Sequence, residues 1–251
     1  MTHLYLTLST VIVVLGSSLL GTSWGQKLDS SVASDIFNNK MLRVPNNVKN
    51  FVILIPNEAH ESPKLPKDQR LINQPYVPQN LVIGPNTSII WFAGDVGHTR
   101  KVTLTDENSN KIYNSILHFN STSKPLSLNQ TGKYTYSESK ANKEDPKFVM
   151  KGTITVTGNS SSINSDFDTN NSTKNNFDNI AVIMVPTRDI EKQTATLTEN
   201  GVDTLGQYSF KDLRETGGGG ANQTLLVLGT DNPVNKLSSV LEKITSTLPY
   251  S

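Results

Sequence analysis

The chain has 251 residues, a formal net charge of +1 at pH 7 and no cysteine. The near-neutral charge excludes the strongly basic surface that is typical of nucleic-acid-binding proteins. The lack of cysteine excludes disulfides, thiolate zinc sites, iron–sulfur clusters and every copper centre with a thiolate ligand. Packing must therefore stabilise the fold.

The first 25 residues are predicted to be a targeting segment. Residues 4–20 form an apolar run, and the small residues Ser23 and Gly25 are placed for signal-peptide cleavage before Gln26. An uncleaved N-terminal anchor is the alternative, because the run is nearly long enough to span a bilayer. In either case we expect the body of the protein to be extracytoplasmic, either secreted or anchored at the cell surface.

Seven Asn-x-Ser/Thr triplets agree with that location. Such triplets are acceptors for N-linked glycans in exported proteins, so they predict a glycoprotein. The alternative is chance, because the chain is rich in asparagine and threonine. The triplets begin at Asn86, Asn120, Asn129, Asn159, Asn170, Asn171 and Asn222.

A flexible lead-in is predicted for residues 26–46, with a short helix around residues 32–37. The first strand is predicted at residues 49–56, because its apolar run from Phe51 to Ile55 is typical of a strand covered on both faces. Residues 57–78 are polar and interrupted by prolines, which predicts a loop.

Short strands separated by turn signals are predicted for the middle of the chain. Alternating apolar and polar residues at this spacing are typical of a Greek-key β-sandwich or barrel. We therefore predict a mainly β domain over residues 47–158. Its further strands are expected at 81–83, 88–92, 101–105, 111–117, 126–128, 132–138 and 151–157.

The end of the chain has a different pattern. Residues 159–179 are rich in Asn and Ser and poor in apolar residues, which predicts a linker. Residues 180–251 are predicted to form a small α/β domain of β-α-β-β-α order, in which Gly201 follows the first helix. The expected elements are strands at 180–185, 207–210 and 225–228, a helix at 188–200 and a final helix that begins at Pro233.

Several separate signals follow one another in residues 76–158. They are Tyr76-Val77-Pro78, Leu81 to Ile83, Ile89 to Phe92, the loop to His98, Gly132-x-Tyr134-x-Tyr136-x-Glu138, and Met150 to Val156. Together they resemble the cupredoxins, the family of type 1 copper proteins. The resemblance implies a cupredoxin-like Greek-key β-sandwich, a copper cofactor and electron transfer.

The resemblance also implies a ligand set, from which this chain departs. His98 matches the first histidine ligand and Met150 the axial methionine, but the cysteine position falls on Glu138 and residues 139–149 contain no histidine. Type 1 copper needs a thiolate and two imidazoles, so blue-copper electron transfer is not expected. Imidazole and carboxylate ligands suit Cu(II). We therefore predict at most a weak, non-blue copper site formed by His98, Met150, Glu138 and His60.

Each candidate ligand also has a structural interpretation. Met150 can fill a gap in the core of a sandwich, and His60 can be an exposed loop residue. An inward Glu138 needs a partner. Its candidate partners are Lys140, Lys143 and Arg100.

No hydrolase, zinc-protease, phosphate-loop or calcium-loop motif occurs in the chain, so we predict that it is not an enzyme. The leading hypothesis is an exported cupredoxin-like protein that binds copper weakly and transfers electrons or handles copper. The alternative is a metal-free scaffold of the same fold that acts as a protein-interaction module. Its unknown partner, or a second copy, would dock on residues 180–251 through an apolar stripe. The stripe comprises Leu237, Val240, Leu241, Ile244 and Leu248.

Overall fold

The computed structural model describes residues 30–39, 41–57, 59, 74–94, 98–138, 148–158, 177–212 and 221–246. The predicted targeting segment, most of the predicted linker and His60 lie outside these ranges. In the described part of the chain, no helix is long and apolar enough to cross a membrane. The helices and strands are, in order, α1 (Ser30–Asn39), β1 (Met41–Arg43), β2 (Asn50–Ile55), β3 (Asn80–Ile83), β4 (Ser88–Ala93), β5 (Arg100–Thr105), β6 (Lys111–Leu117), β7 (Leu126–Ser127), β8 (Gly132–Ser137), β9 (Lys151–Val156), β10 (Asn179–Pro186), α2 (Ile190–Glu199), β11 (Asp203–Asp212), β12 (Ala221–Thr230) and α3 (Val234–Ser246).

The strands form two six-stranded sheets. Sheet A has the order β1-β3-β9-β8-β5-β6, and sheet B has the order β11-β12-β10-β2-β4-β7. Both sheets mix parallel and antiparallel neighbours: β2 is parallel to β4 and β3 to β9, whereas β8 is antiparallel to β5 and β9. This mainly β architecture of two mixed sheets confirms the β-sandwich that was predicted.

The inner faces of the sheets carry the hydrophobic core. In β8 the side chains alternate as expected for a half-buried strand, with Tyr134 and Tyr136 inside and Lys133 exposed. Tyr136 contacts Trp91 of β4 and Tyr76, with ring centroids 5.5 Å and 4.7 Å apart. These three aromatic side chains therefore fill the space between the sheets.

The described part of the predicted lead-in belongs to the folded core, which corrects our prediction that residues 26–46 are flexible. Helix α1 packs on β11, where the ring of Phe37 lies 4.7 Å from Tyr208 and 5.0 Å from Phe210, measured between centroids. Ile36 is fully buried in the same helix. Because the apolar face of α1 is short, the helix is stabilised by packing against the sheet and not by its own sequence.

The C-terminal part has the predicted β-α-β-β-α order, but its strands do not form a sheet of their own. Strand β10 pairs in parallel with β2, from Asn179 opposite Asn50 to Ala181 opposite Val52, so β10, β11 and β12 extend sheet B. Strands β11 and β12 pair over nearly their whole length and are longer than predicted. Most of the extra residues are polar or glycine, and the backbone pairing of the two strands defines them as strand.

The apolar stripe of α3 is part of the core. Leu237, Val240, Leu241 and Ile244 are each at most 5% exposed, and α3 lies against β10. Leu248 lies outside the described residues. These four side chains are therefore covered within the chain, and the docking of a partner on residues 180–251 stays a prediction.

Candidate functional site

Four strand ends bring most of the predicted ligands to one end of the sandwich. Strand β4 ends just before the loop to His98, and β5 begins just after it. Strand β8 ends immediately before Glu138, and β9 begins immediately after Met150. Since β8 is antiparallel to both β5 and β9, these ends lie together. We call this end the His98 pole.

Glu138 is buried at this pole and is held by an ion pair. Both Glu138 and Arg100 have side chains that are only 3% exposed, and Arg100 Nη1 donates to Glu138 Oε2 at 3.1 Å. The second oxygen, Oε1, accepts a longer hydrogen bond from the backbone N–H of Lys101 at 3.4 Å. The carboxylate is therefore engaged at both oxygens, and it pairs with Arg100, one of its three candidate partners. The other two, Lys140 and Lys143, lie outside the described residues.

Tyr76 lies near the ion pair, and Tyr136 packs against Tyr76. Burial raises the pKa of Tyr76 well above its ordinary value of 10.0, and the charge of Glu138 raises it further, while Arg100 lowers it. Burial also raises the pKa of Tyr136, with a smaller contribution from Tyr76. The Tyr136 hydroxyl donates to the carbonyl of Gln79 at 2.8 Å, whereas the buried Tyr76 hydroxyl has no hydrogen-bond partner among the described residues. Both phenols therefore stay protonated.

The remaining candidate ligands are placed less favourably for a shared ion. Met150 is 2% exposed, and its backbone carbonyl accepts from the N–H of Glu138 at 3.2 Å. This burial fits its interpretation as a core residue. His98 is half-buried in the loop, and His60 lies outside the described residues. A second histidine at this pole, His118, is exposed and its Nδ1 lies 3.4 Å from Thr99 Oγ1.

The residues at the pole do not fit the copper site that the resemblance to cupredoxins implies. The chain has no cysteine to supply the thiolate. The carboxylate at the corresponding position is engaged with Arg100, whose guanidinium already balances its charge. Within the described ranges, no group of three or more His, Cys, Asp or Glu side chains could hold a metal ion.

Sequence reasoning did not identify Tyr76 as a site residue and named Arg100 only among several alternatives. Tyr76 stands in the Tyr-Val-Pro signal, which indicated fold and not chemistry. The signal for Arg100 is its position two residues after His98. The ion pair depends on the way β5 and β8 pair, with Thr103 opposite Ser137, and that pairing is not visible in the sequence.

Comparisons with known proteins do not assign this chain to a family. No family model and no curated protein matches the chain. Among solved structures, a copper-containing nitrite reductase (NirK) from Thermus scotoductus SA-01 matches with a TM-score of 0.30 and 17% identity over 48% of this chain and 29% of that one. Reduced rusticyanin matches with a TM-score of 0.33 and 12% identity over 52% of this chain and 90% of that one.

At these TM-scores neither match supports a conclusion about the fold or the function of this chain. The chain also spans less than a third of the reductase. The strand order and pairing of this chain define its fold.

Proposed function

We propose that this chain is an extracytoplasmic, metal-free scaffold of cupredoxin-like fold that works by protein association. The buried Arg100–Glu138 ion pair carries the proposal. The guanidinium of Arg100 carries a permanent positive charge. It is paired with Glu138, the residue that would have to supply the negatively charged ligand of a metal site at this pole. A cation bound there would have to displace Arg100 and leave its charge buried without a partner, which costs several kcal/mol, on the order of 3–5.

Copper titration of the purified full chain tests the metal-free part of the proposal. We expect no stoichiometric Cu(II) binding, and the same weak surface binding in His98→Ala as in the unsubstituted protein. His118→Ala is the matched control, because His118 is an exposed imidazole at the same pole. One equivalent of bound Cu(II), with an axial EPR signal that His98→Ala abolishes and His118→Ala keeps, would overturn the proposal.

That overturning result defines the second candidate function, a weak non-blue copper site used in copper handling or electron transfer. One observation favours it: His98 is partly exposed at the same pole as Glu138 and Met150. The predicted ligands are then His98, Met150, Glu138 and His60. Imidazole, carboxylate and thioether groups are all known copper ligands.

The surface for association is assigned to sheet A. Every exposed large apolar side chain among the described residues belongs to this sheet or closely precedes one of its strands. These residues are Met41 in β1, Ile112 and Ile116 in β6, and Val149 just before β9. Helices α2 and α3 instead lie against strands of sheet B. Sheet A is therefore the side of the sandwich whose exposed apolar side chains can contact a partner.

A second copy of the chain fits the free edge of β6. Strand β6 ends sheet A and pairs only with β5 among the described strands. Ile112 and Ile116 are 44% and 61% exposed. The register of β6 with β5 shifts at Ile112, which has no partner residue in β5. An antiparallel pair of β6 strands centred on Asn114 would bring the Ile112 of each copy near the Ile116 of the other. Such cross-strand apolar pairs stabilise a sheet.

Light scattering of the full chain over a range of concentrations tests this surface. We expect a concentration-dependent mass that approaches twice that of the chain, and a monomer for Ile116→Lys, because a lysine on an edge strand opposes pairing. Met41→Lys is the control, since it changes an exposed apolar residue at the opposite edge of sheet A. A monomer at every concentration, or equal effects of both substitutions, contradicts the assignment.

A further inference from the structure

Four of the seven glycosylation triplets lie in the described residues, and their asparagines differ in environment. Asn86, Asn129 and Asn222 are exposed, whereas Asn120 is partly buried. N-glycosylation joins a bulky, solvated group to the side-chain amide nitrogen, so a folded acceptor must direct that nitrogen to water. Asn222 lies within strand β12 and takes no part in this inference.

Asn86 lies in the tight turn between β3 and β4. The turn is closed by a hydrogen bond from the N–H of Thr87 to the carbonyl of Gly84 at 3.3 Å, with Pro85 and Asn86 between them. The hydroxyl of Thr87 points into the protein and donates to the carbonyl of Val48 at 2.9 Å. The Asn86 side chain therefore faces solvent on a rigid turn.

Asn129 lies close to the same turn. It follows β7, and β7 pairs with β4 so that Ser127 is opposite Ser88, with their hydroxyl oxygens 2.7 Å apart. Asn86 precedes Ser88 by two residues and Asn129 follows Ser127 by two, so both triplets flank one end of this strand pair. Strand β4 runs from that end to the His98 pole, which places the two asparagines at the opposite end of the sandwich.

Asn120 is a structural residue instead. Its Nδ2 donates to the carbonyl of Glu242 in α3 at 2.7 Å, and its Oδ1 is buried. Its backbone N–H donates to the carbonyl of Ala93 at 2.8 Å, and its φ of 61° is one that asparagine tolerates better than most residues. A glycan on this nitrogen would break the contact that joins α3 to the loop near the His98 pole.

We infer that Asn86 and Asn129 are acceptors for N-linked glycans and that Asn120 is not. In the reaction, the amide nitrogen loses a proton and bonds to the anomeric carbon of a lipid-linked glycosyl diphosphate, whose bond to the diphosphate breaks. The inference goes beyond the proposed function and uses only its extracytoplasmic location. Glycans at Asn86 and Asn129 would leave the His98 pole uncovered.

Site-resolved mass spectrometry of the full chain tests the inference. The chain is secreted by a eukaryotic host behind the host's own signal, so the result does not depend on residues 1–25. We expect N-glycans on Asn86 and Asn129 and an unmodified Asn120. A glycan on Asn120 in the folded, secreted protein overturns the inference. The absence of a glycan from Asn86 or from Asn129 overturns it as well.

Matched variants give an independent readout by gel mobility before and after enzymatic deglycosylation. Asn86→Gln and Asn129→Gln should each lower the apparent mass by one glycan, and the difference should disappear after deglycosylation. Thr122→Val removes the triplet of Asn120 but keeps the Asn120 side chain and its bond to Glu242. This variant should migrate with the unsubstituted protein, and a loss of one glycan mass in it contradicts the inference.

Discussion

Arg100 and Glu138 show how strongly a buried ion pair depends on both of its members. Each side chain is 3% exposed, so neither charge can be solvated by water if the other is removed. Removing the two charges from water costs on the order of several kcal/mol per ion. The attraction between the charges is of similar size and offsets this cost. The pair therefore makes a modest net contribution to stability, but the loss of one partner is expensive.

Glu138→Gln should lower the free energy of unfolding by about 3–5 kcal/mol, because it leaves the Arg100 charge buried and uncompensated. Replacing both residues, as in Arg100→Met with Glu138→Leu, should recover most of that loss, since apolar residues of similar volume need no partner. Urea denaturation followed by circular dichroism measures both changes.

The exposed Lys49–Asp178 pair supplies the control for this experiment. Its N–O distance of 2.8 Å is shorter than that of the buried pair, but its side chains are 68% and 41% exposed. Asp178→Asn should therefore cost less than about 1 kcal/mol. If Glu138→Gln costs no more than Asp178→Asn, burial does not control the energy of the pair, and a metal ion could displace Arg100 from Glu138 at little cost.

At the scale of elements, one side chain joins α1 to the sandwich. The buried Gln74 donates from Nε2 to the carbonyls of Ile36 and Phe37 at 2.9 Å and 2.8 Å, near the C-terminal end of α1. Its Oε1 accepts from the N–H of Gln79 at 3.0 Å, just before β3. The last carbonyls of a helix have no partner within the helix, so this amide satisfies groups that the helix itself leaves open.

Gln74→Ala should lower the free energy of unfolding by about 2–3 kcal/mol, because it leaves buried backbone groups without hydrogen bonds. Gln79→Ala is the control: the Gln79 Nε2 donates to the carbonyl of Lys151 at 2.8 Å, but in an exposed position where water can replace it. We expect that substitution to cost less than about 1 kcal/mol. Equal losses in urea denaturation would show that Gln74 does not cap α1.

Element types were predictable because side-chain periodicity reflects local burial. Strands β2 to β9 were expected close to their observed positions, whereas β1 lies in residues that were predicted as a lead-in. Gly201 has the positive φ of 70° that its place after α2 requires. The lengths of β11 and β12 were not predictable, because pairing between the two strands extends them over polar residues. The packing of α1 on the sandwich was not predicted, because it depends on contacts between its short apolar face and the distant residues Tyr208 and Phe210.

At the scale of the molecule, the two predicted units share one sheet and one hydrophobic core. Strand β10 pairs with both β2 and β12, so it is central in sheet B, and this explains why it is apolar along its length. The helices that follow in the chain lie against this sheet, while sheet A keeps its exposed apolar residues. The division into two domains at the linker stays a prediction.

The sequence by itself determined the mainly β class, the order of the elements and the lack of a thiolate ligand, because periodicity and residue type are local properties. Only the tertiary structure decided that Glu138 pairs with Arg100, that the apolar stripe of α3 is internal, and that the amide of Asn120 is engaged. Each of these depends on residues far apart in the chain or on the register of paired strands. The chemistry of a side chain follows from its residue type. Whether it can bind a ligand, contact a partner or be modified depends on the residues that the fold places beside it.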